Sequence, residues 1–204
     1  MTTSRVVLAS NNAKKLVELQ ALFAPLGVAL VSQGSLGIPE AEEPHPTFVE
    51  NALAKARHAA QAANGAALAD DSGLCVDALG GAPGVLSARY ATLFGGPKDD
   101  AENNRTLLAR LGDTAQRRAR FVCVLVAVRS AQDPEPLIAM GRWEGEILSE
   151  LRGHAGFGYD PLMFIPTLGK TVAELSADDK NRLSHRAQAA EQLRRQMQEV
   201  WQLG

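Results

Sequence analysis

Apolar residues along this chain switch between helical spacing and short continuous runs, and the switches mark its elements. Arg5 to Ala9 reads as a first strand, which Ser10-Asn11-Asn12 breaks with three small polar residues. From Ala13 to Phe23 the apolar positions Leu16, Leu19, Leu22 and Phe23 share one helical face. Pro25 and Gly27 stop that helix, and Val28 to Val31 supplies a second strand. Gly34 to Pro46 reads as loop. Thr47-Phe48-Val49-Glu50 reads as a capping box opening an alanine-rich helix that runs to about Ala63 and ends at Asn64-Gly65. Ala66 to Ala69 reads as a short strand that delivers Asp70 and Asp71 at its end, and Leu74 to Val76 as another. Gly80 to Gly84 is a tight loop, and an irregular stretch follows to Pro97. Asp100 to Leu111 reads as a helix with Leu107, Leu108 and Leu111 inward.

The strongest strand signal is Ala119 to Val128, whose near-continuous apolar character predicts burial on both faces. Pro134 and Pro136 mark a turn, and Leu137 to Ile147 has strand character. Gly153 to Pro161 is a glycine-rich loop, Leu162 to Ile165 a short strand, and Thr171 to Glu174 a second capping box. Ser184 to Trp201 reads as a final helix, with Ala187, Ala190, Leu193, Met197 and either Val200 or Trp201 on one stripe. No repeat or low-complexity tract is present. The pattern predicts an α/β fold: a mixed central sheet flanked by helices.

Composition narrows the picture. The chain has 204 residues, 46% hydrophobic and 22% charged, which suits one soluble globular domain over residues 1–204, with room for two lobes. A net charge of -2 argues against a dedicated nucleic-acid coat or a polybasic membrane module. The apolar stretch after the N-terminus is too short for a signal peptide or a membrane span, so the expected compartment is the cytoplasm. Cys75 and Cys123 lack CxxC or zinc-ligand spacing and read as buried free thiols. His45, His58 and His154 have no ligand spacing, and Trp143 and Trp201 read as core or subunit contacts.

Candidate chemistry centres on Asp70-Asp71, which an apolar run feeds and Ser72-Gly73 follows. Two adjacent like charges are expensive to keep at the end of a strand, and a divalent cation would remove that penalty. The competing reading is a loop cap or a surface ion pair. Ser10, Asn11 and Asn12 lie where a strand meets a helix N-terminus, whose N–H groups can hold phosphate oxygens. There is no Walker motif. Lys14 and Lys15 begin that helix against its dipole, an exception that a bound phosphate would explain. Lys55 lies one turn past Asn51.

These segments together resemble the Ham1-like family of inosine/xanthosine triphosphate pyrophosphatases. The resemblance is carried, in order, by Ser10-Asn11-Asn12-Ala13-Lys14-Lys15, by Phe48-Val49-Glu50-Asn51-Ala52 with Lys55-Ala56, and by Ala69-Asp70-Asp71-Ser72-Gly73-Leu74. Gly80-Gly81-Ala82-Pro83-Gly84 and Ser87-Ala88-Arg89-Tyr90 follow, then Gly156-Phe157-Gly158-Tyr159-Asp160-Pro161 and Ser184-His185-Arg186. It spans essentially the whole chain. One departure is Asn11, near which the family more often carries glycine.

The resemblance implies a homodimeric, Mg2+-dependent enzyme that converts ITP, dITP or XTP to the monophosphate and pyrophosphate. It implies an elongated sheet, with a substrate cleft between two lobes. Asp71 becomes the general base and a metal residue, with Asp70 holding metal or orienting its neighbour. Glu42 and Glu43 are further metal candidates, and Glu40 stays open. Lys15, Lys55 and Ser72 become phosphate contacts beside Ser10, Asn11 and Asn12. Favouring a 6-oxo purine needs a donor aimed at O6, for which His185 and Arg186 are candidates, with Lys180 as a further ligand contact. Phe157 or Tyr159 would stack on the base, and Asp160, beside Gly158, would fix a ribose hydroxyl or support its loop. The rival reading is a nucleotide-binding regulator without hydrolysis.

Overall fold

The computed structural model describes residues 4–203. Its strands are β1 (Ser4–Leu8), β2 (Val28–Ser32), β3 (Ala67–Val76), β4 (Arg118–Val128), β5 (Leu137–Ile147), β6 (Met163–Ile165) and β7 (Lys170–Thr171). Its helices are α1 (Ala13–Phe23), α2 (Phe48–Ala63), α3 (Asp100–Leu111), α4 (Ala177–Leu183) and α5 (His185–Trp201). The seven strands form one sheet in the order β2-β1-β3-β4-β5-β6-β7. β1 pairs parallel with both β2 and β3, whereas β6 is antiparallel to β5 and β7. The expected mixed α/β sheet is therefore present.

Two compact units divide the chain. The first comprises Met1–Asp71, Cys123–Gly141 and Arg186–Gly204; the second comprises Ser72–Val122 and Arg142–His185. In the first unit, alternate strand residues feed two separate cores. Val6, Leu8, Leu68, Cys123 and Leu125 pack with Leu19 and Phe23 of α1 and Ala189 and Leu193 of α5. Val7, Ala67, Ala69, Val124 and Val126 pack instead with Ala52, Ala56 and Ala59 of α2. Strand side chains alternate between faces, so α1 and α5 cover one face of this sheet region and α2 the other. The small side chains of α2 let its backbone lie close to the strands. The second unit has its own core, in which Leu74, Phe121, Trp143 and Met163 meet Leu107 and Leu111 of α3.

Several local expectations change. The aspartate pair is not at a strand end: β3 runs unbroken from Ala67 to Val76 with both residues inside it. The Thr47 box forms by half. Thr47 Oγ1 accepts the Glu50 N–H, but the Glu50 carboxylate takes the Thr47 hydroxyl rather than a backbone N–H. The Thr171–Glu174 box forms fully, on a single 3-10 turn. α4 and β7 are additions, and Cys75 is only half-buried. On α5, Trp201 rather than Val200 completes the stripe.

Candidate active site

Strand alternation decides the geometry of the acidic pair. Asp70 follows Ala69 and shares the face of Leu68, toward α1 and α5. Asp71 shares the face of Ala69, toward α2. Successive strand residues point to opposite faces, so the two carboxylates leave β3 in opposite directions.

Asp70 sits in a buried ionic cluster. Lys15 Nζ donates to its Oδ1, Arg186 Nε to its Oδ2 at 2.9 Å and the Cys123 thiol to Oδ2 at 3.3 Å. Arg186 Nη1 also donates to Glu18 Oε2 at 2.6 Å. The Asp70 side chain is 0% exposed and that of Arg186 2%. Burial alone would raise the Asp70 carboxyl, but Arg186 and Lys15 outweigh it and hold it well below the usual carboxylate range. Burial opposes the Arg186 charge in turn, and Asp70 chiefly reverses that, pushing the guanidinium up. Two acids and two cations leave this cluster formally neutral. The Lys15 charge in the first turn of α1 is thus answered by Asp70. The guanidinium of Arg186 is committed to Asp70 and Glu18 instead of being presented to a base edge.

Asp71 stands in a different field. Lys55 Nζ donates to Asp71 Oδ1 at 2.8 Å, to Glu43 Oε1 at 2.9 Å and to the Asp70 carbonyl at 2.9 Å. Asp71 Oδ2 is buried and has no hydrogen-bond partner. Burial pushes the Asp71 carboxyl above its ordinary value, with Lys55 opposing. Burial also disfavours the Lys55 charge, yet Asp71 and Glu43 together raise that amine. Two acids and one cation leave this cluster formally at -1. Glu43 is the glutamate of its loop that joins Asp71. Glu40 instead accepts from Asn11 Nδ2 at 3.1 Å, and Glu42 is exposed.

At the α1 junction Asn12 is the N-cap, its Oδ1 accepting the Lys15 N–H at 3.1 Å. Ser10 Oγ accepts the Asn12 N–H at 3.2 Å. Both residues therefore shape the turn themselves. Ser72 is half-buried in β3.

The remaining candidates belong to the second unit. Asp160 Oδ2 accepts the Phe157 N–H at 3.0 Å and Lys180 Nζ at 2.7 Å. Lys180 Nζ also lies 4.5 Å from the Phe157 ring centroid, a cation–π distance. Gly156 is obligatory here: its φ is +79°, and a Cβ would fall 2.0 Å from Asp160 Oδ2. Asp160 thus braces its own loop. Tyr159 is not a stacking platform, because it is 4% exposed and its hydroxyl donates to the Ser87 carbonyl at 2.9 Å. The His185 ring stacks on Phe121, with centroids 4.9 Å apart. Sequence reasoning missed Glu18, the second acid on Arg186, and also Asp100 and Asn104, which bond the Gly158 backbone. Nothing in their spacing distinguishes them from ordinary polar helix residues.

The sequence model of the Ham1 family matches residues 6–196. The chain belongs to the Ham1 family. Among Ham1 relatives, a dITP/XTP pyrophosphatase of Leptothrix cholodnii is 65% identical over 98% of this chain and 99% of its own length. One of Methylibium petroleiphilum is 66% identical over 97% of this chain and 99% of its own. The solved HAM1 protein from Coxiella burnetii superposes with a TM-score of 0.89 at 47% identity, covering 97% of this chain and 100% of that one. The Staphylococcus aureus Ham1 protein gives 0.85 at 39%, covering 96% and 99%. The α/β fold is thus that of solved Ham1 structures.

Proposed function

We propose that this chain is a Mg2+-dependent pyrophosphatase of non-canonical purine nucleoside triphosphates, releasing the nucleoside monophosphate and pyrophosphate from ITP, dITP or XTP. The observation that carries the reading is the Asp71 cluster. A buried carboxylate oxygen without a partner, next to a second carboxylate, Glu43, that shares the Lys55 ammonium, suits a metal–phosphate site. Relatives that share about two thirds of its residues are named dITP/XTP pyrophosphatases.

The residues fit the cation. Glu43 and Asp71 converge on Lys55, and hard oxygen donors from a loop and a strand suit Mg2+. When bound, Mg2+ would offset polyphosphate charge and polarise the phosphoryl oxygens. Among the described residues no three His, Cys, Asp or Glu side chains are grouped to hold a metal by themselves. Asp70 serves as a charged anchor, fixing Lys15 and the first turn of α1.

Hydrolysis forms a bond from water oxygen to the α-phosphorus and breaks the bond from that phosphorus to the α–β bridging oxygen. Asp71 Oδ2 receives the water's proton, and burial raises its proton affinity toward what a general base needs. Lys55 and Lys15 supply charge to the phosphates, and pyrophosphate leaves with the bridging oxygen. In the second unit Phe157 presents its ring to the purine, and Lys180, tied to Asp160, supplies a donor for a 6-oxo group.

The test is initial rates for ITP, XTP, GTP and ATP with Mg2+, with both products identified. The 6-oxo purines lacking a 2-amino group should be preferred by at least ~10-fold, about 1.4 kcal/mol of transition-state discrimination. Equal turnover of ATP, or release of orthophosphate in place of pyrophosphate, would overturn the reading. Tight binding of ITP with no product would favour a nucleotide-binding regulator.

A further inference from the structure

We infer that Asp100 and Asn104 are positioning residues for purine recognition, which together grip both backbone groups of Gly158 and so set the loop that carries Phe157 and Asp160. The inference rests on reading that loop as the purine-binding segment. Asp100 Oδ2 accepts the Gly158 N–H at 2.8 Å. Asn104 Nδ2 donates to the Gly158 carbonyl at 2.8 Å and to the Asp100 carbonyl at 2.7 Å. Gly158 has a φ of +61°, in the left-handed region, so its own conformational preference does little to fix the loop. Holding both its N–H and its C=O fixes the peptide planes on either side. Those planes determine where the Phe157 ring and the Asp160 carboxylate stand.

Two details separate this grip from ordinary helix capping. α3 is already capped by Asp99, whose Oδ1 accepts the Glu102 N–H at 2.8 Å, so the Asp100 carboxylate is surplus to the cap. Asn104 is 4% exposed, and its Oδ1 is buried without a hydrogen-bond partner. The amide keeps its place despite a buried acceptor without a partner, because its Nδ2 serves two backbone carbonyls that an apolar side chain would leave without this donor. What the position keeps is the donor to Gly158.

The test compares D100A, D100N and N104A in Mg2+-supported ITP hydrolysis, with KM and kcat determined separately. Amide hydrogen exchange over residues 156–160 is followed in parallel. Asp100 is exposed and outside the cap, so D100A keeps the fold. D100A should raise KM for ITP about ten-fold while kcat stays within about two-fold, the scale of one lost charge-assisted hydrogen bond. It should also accelerate exchange in the loop. D100N, whose amide oxygen still accepts, should recover most of that loss, with KM within about three-fold of wild type and exchange slowed again, which a pure charge role would not produce. N104A should follow D100A. Wild-type KM and exchange in D100A, or D100N as impaired as D100A, would overturn the inference. If the wild type itself leaves ITP intact, the proposed function fails. The exchange measurement then decides the grip alone: faster exchange in D100A supports it and unchanged exchange overturns it.

Discussion

Asp70 and Asp71 are chain neighbours in opposite electrostatic settings, and their substitutions should separate. Asp70 answers two cations, one of them the buried guanidinium of Arg186. D70N leaves the buried cluster one carboxylate short, with Glu18 alone facing two cations, which destabilises by about 3–5 kcal/mol and lowers the melting temperature by roughly 10 °C for a chain of this size. Asp71 carries a carboxyl that burial has pushed up, so its ionised form costs stability at neutral pH. Lys55 keeps Glu43 and the Asp70 carbonyl when Asp71 is replaced. D71N measured in EDTA should therefore melt at or above the wild-type temperature; thermal denaturation of the two variants side by side checks both. The sequence motif makes the pair visible but not its division of labour. That division follows from the two-residue period of a strand, and placing the pair at a strand end hid it. That the loop brings Glu43, rather than Glu40 or Glu42, to Lys55 was likewise not legible in the sequence.

At the level of elements, β3 illustrates why a charged pair need not end a strand. Aspartate is a poor strand former, yet here each side chain leaves the sheet on its own face to meet a cation from a different helix. Long strands were legible almost to the residue, β4 from its near-continuous apolar run and β5 between its flanking prolines and loop, as was the helical spacing of α1 and α3. α4 was not, because Ala177–Leu183 carries no apolar repeat and forms on the Ser176 cap, whose hydroxyl accepts the Asp179 N–H at 3.1 Å. The β4–β5 turn offers a pH test. Asp133, 3% exposed, accepts the Arg129 and Glu135 N–H groups at 2.8 and 3.0 Å. Burial alone would raise its carboxyl, but those amides and the Arg129 guanidinium outweigh it, and the net shift is downward. A lowered folded value means that its contribution is complete above the unfolded value near 4. The contribution is lost as pH falls through the folded value. D133A should thus lose about 1–2 kcal/mol at pH 7, and urea denaturation should show that deficit shrinking below about pH 4.

For the whole molecule, the division of labour follows the two units. The first holds both ionic clusters, and the second holds the Phe157–Lys180–Asp160 group with the α3 grip on Gly158. Family membership was readable because seven short segments recur in order. Each segment fixes a residue type at a spacing, but not the direction of its side chain, which depends on the packing of helices far away in sequence. Arg186, Tyr159 and Asp160 show the consequence: each lies in a recognisable motif, and each is turned inward to hold the protein itself.

The central claim is that Asp71, within its negative cluster with Glu43 and Lys55, carries the chemistry. Single-turnover release of pyrophosphate from ITP by D71N, with saturating Mg2+ and enzyme in excess, tests it most directly. A fall of at least roughly 10³-fold, with ITP still bound, is the expected result for a lost general base. Pyrophosphate release within ten-fold of wild type by D71N would contradict the account.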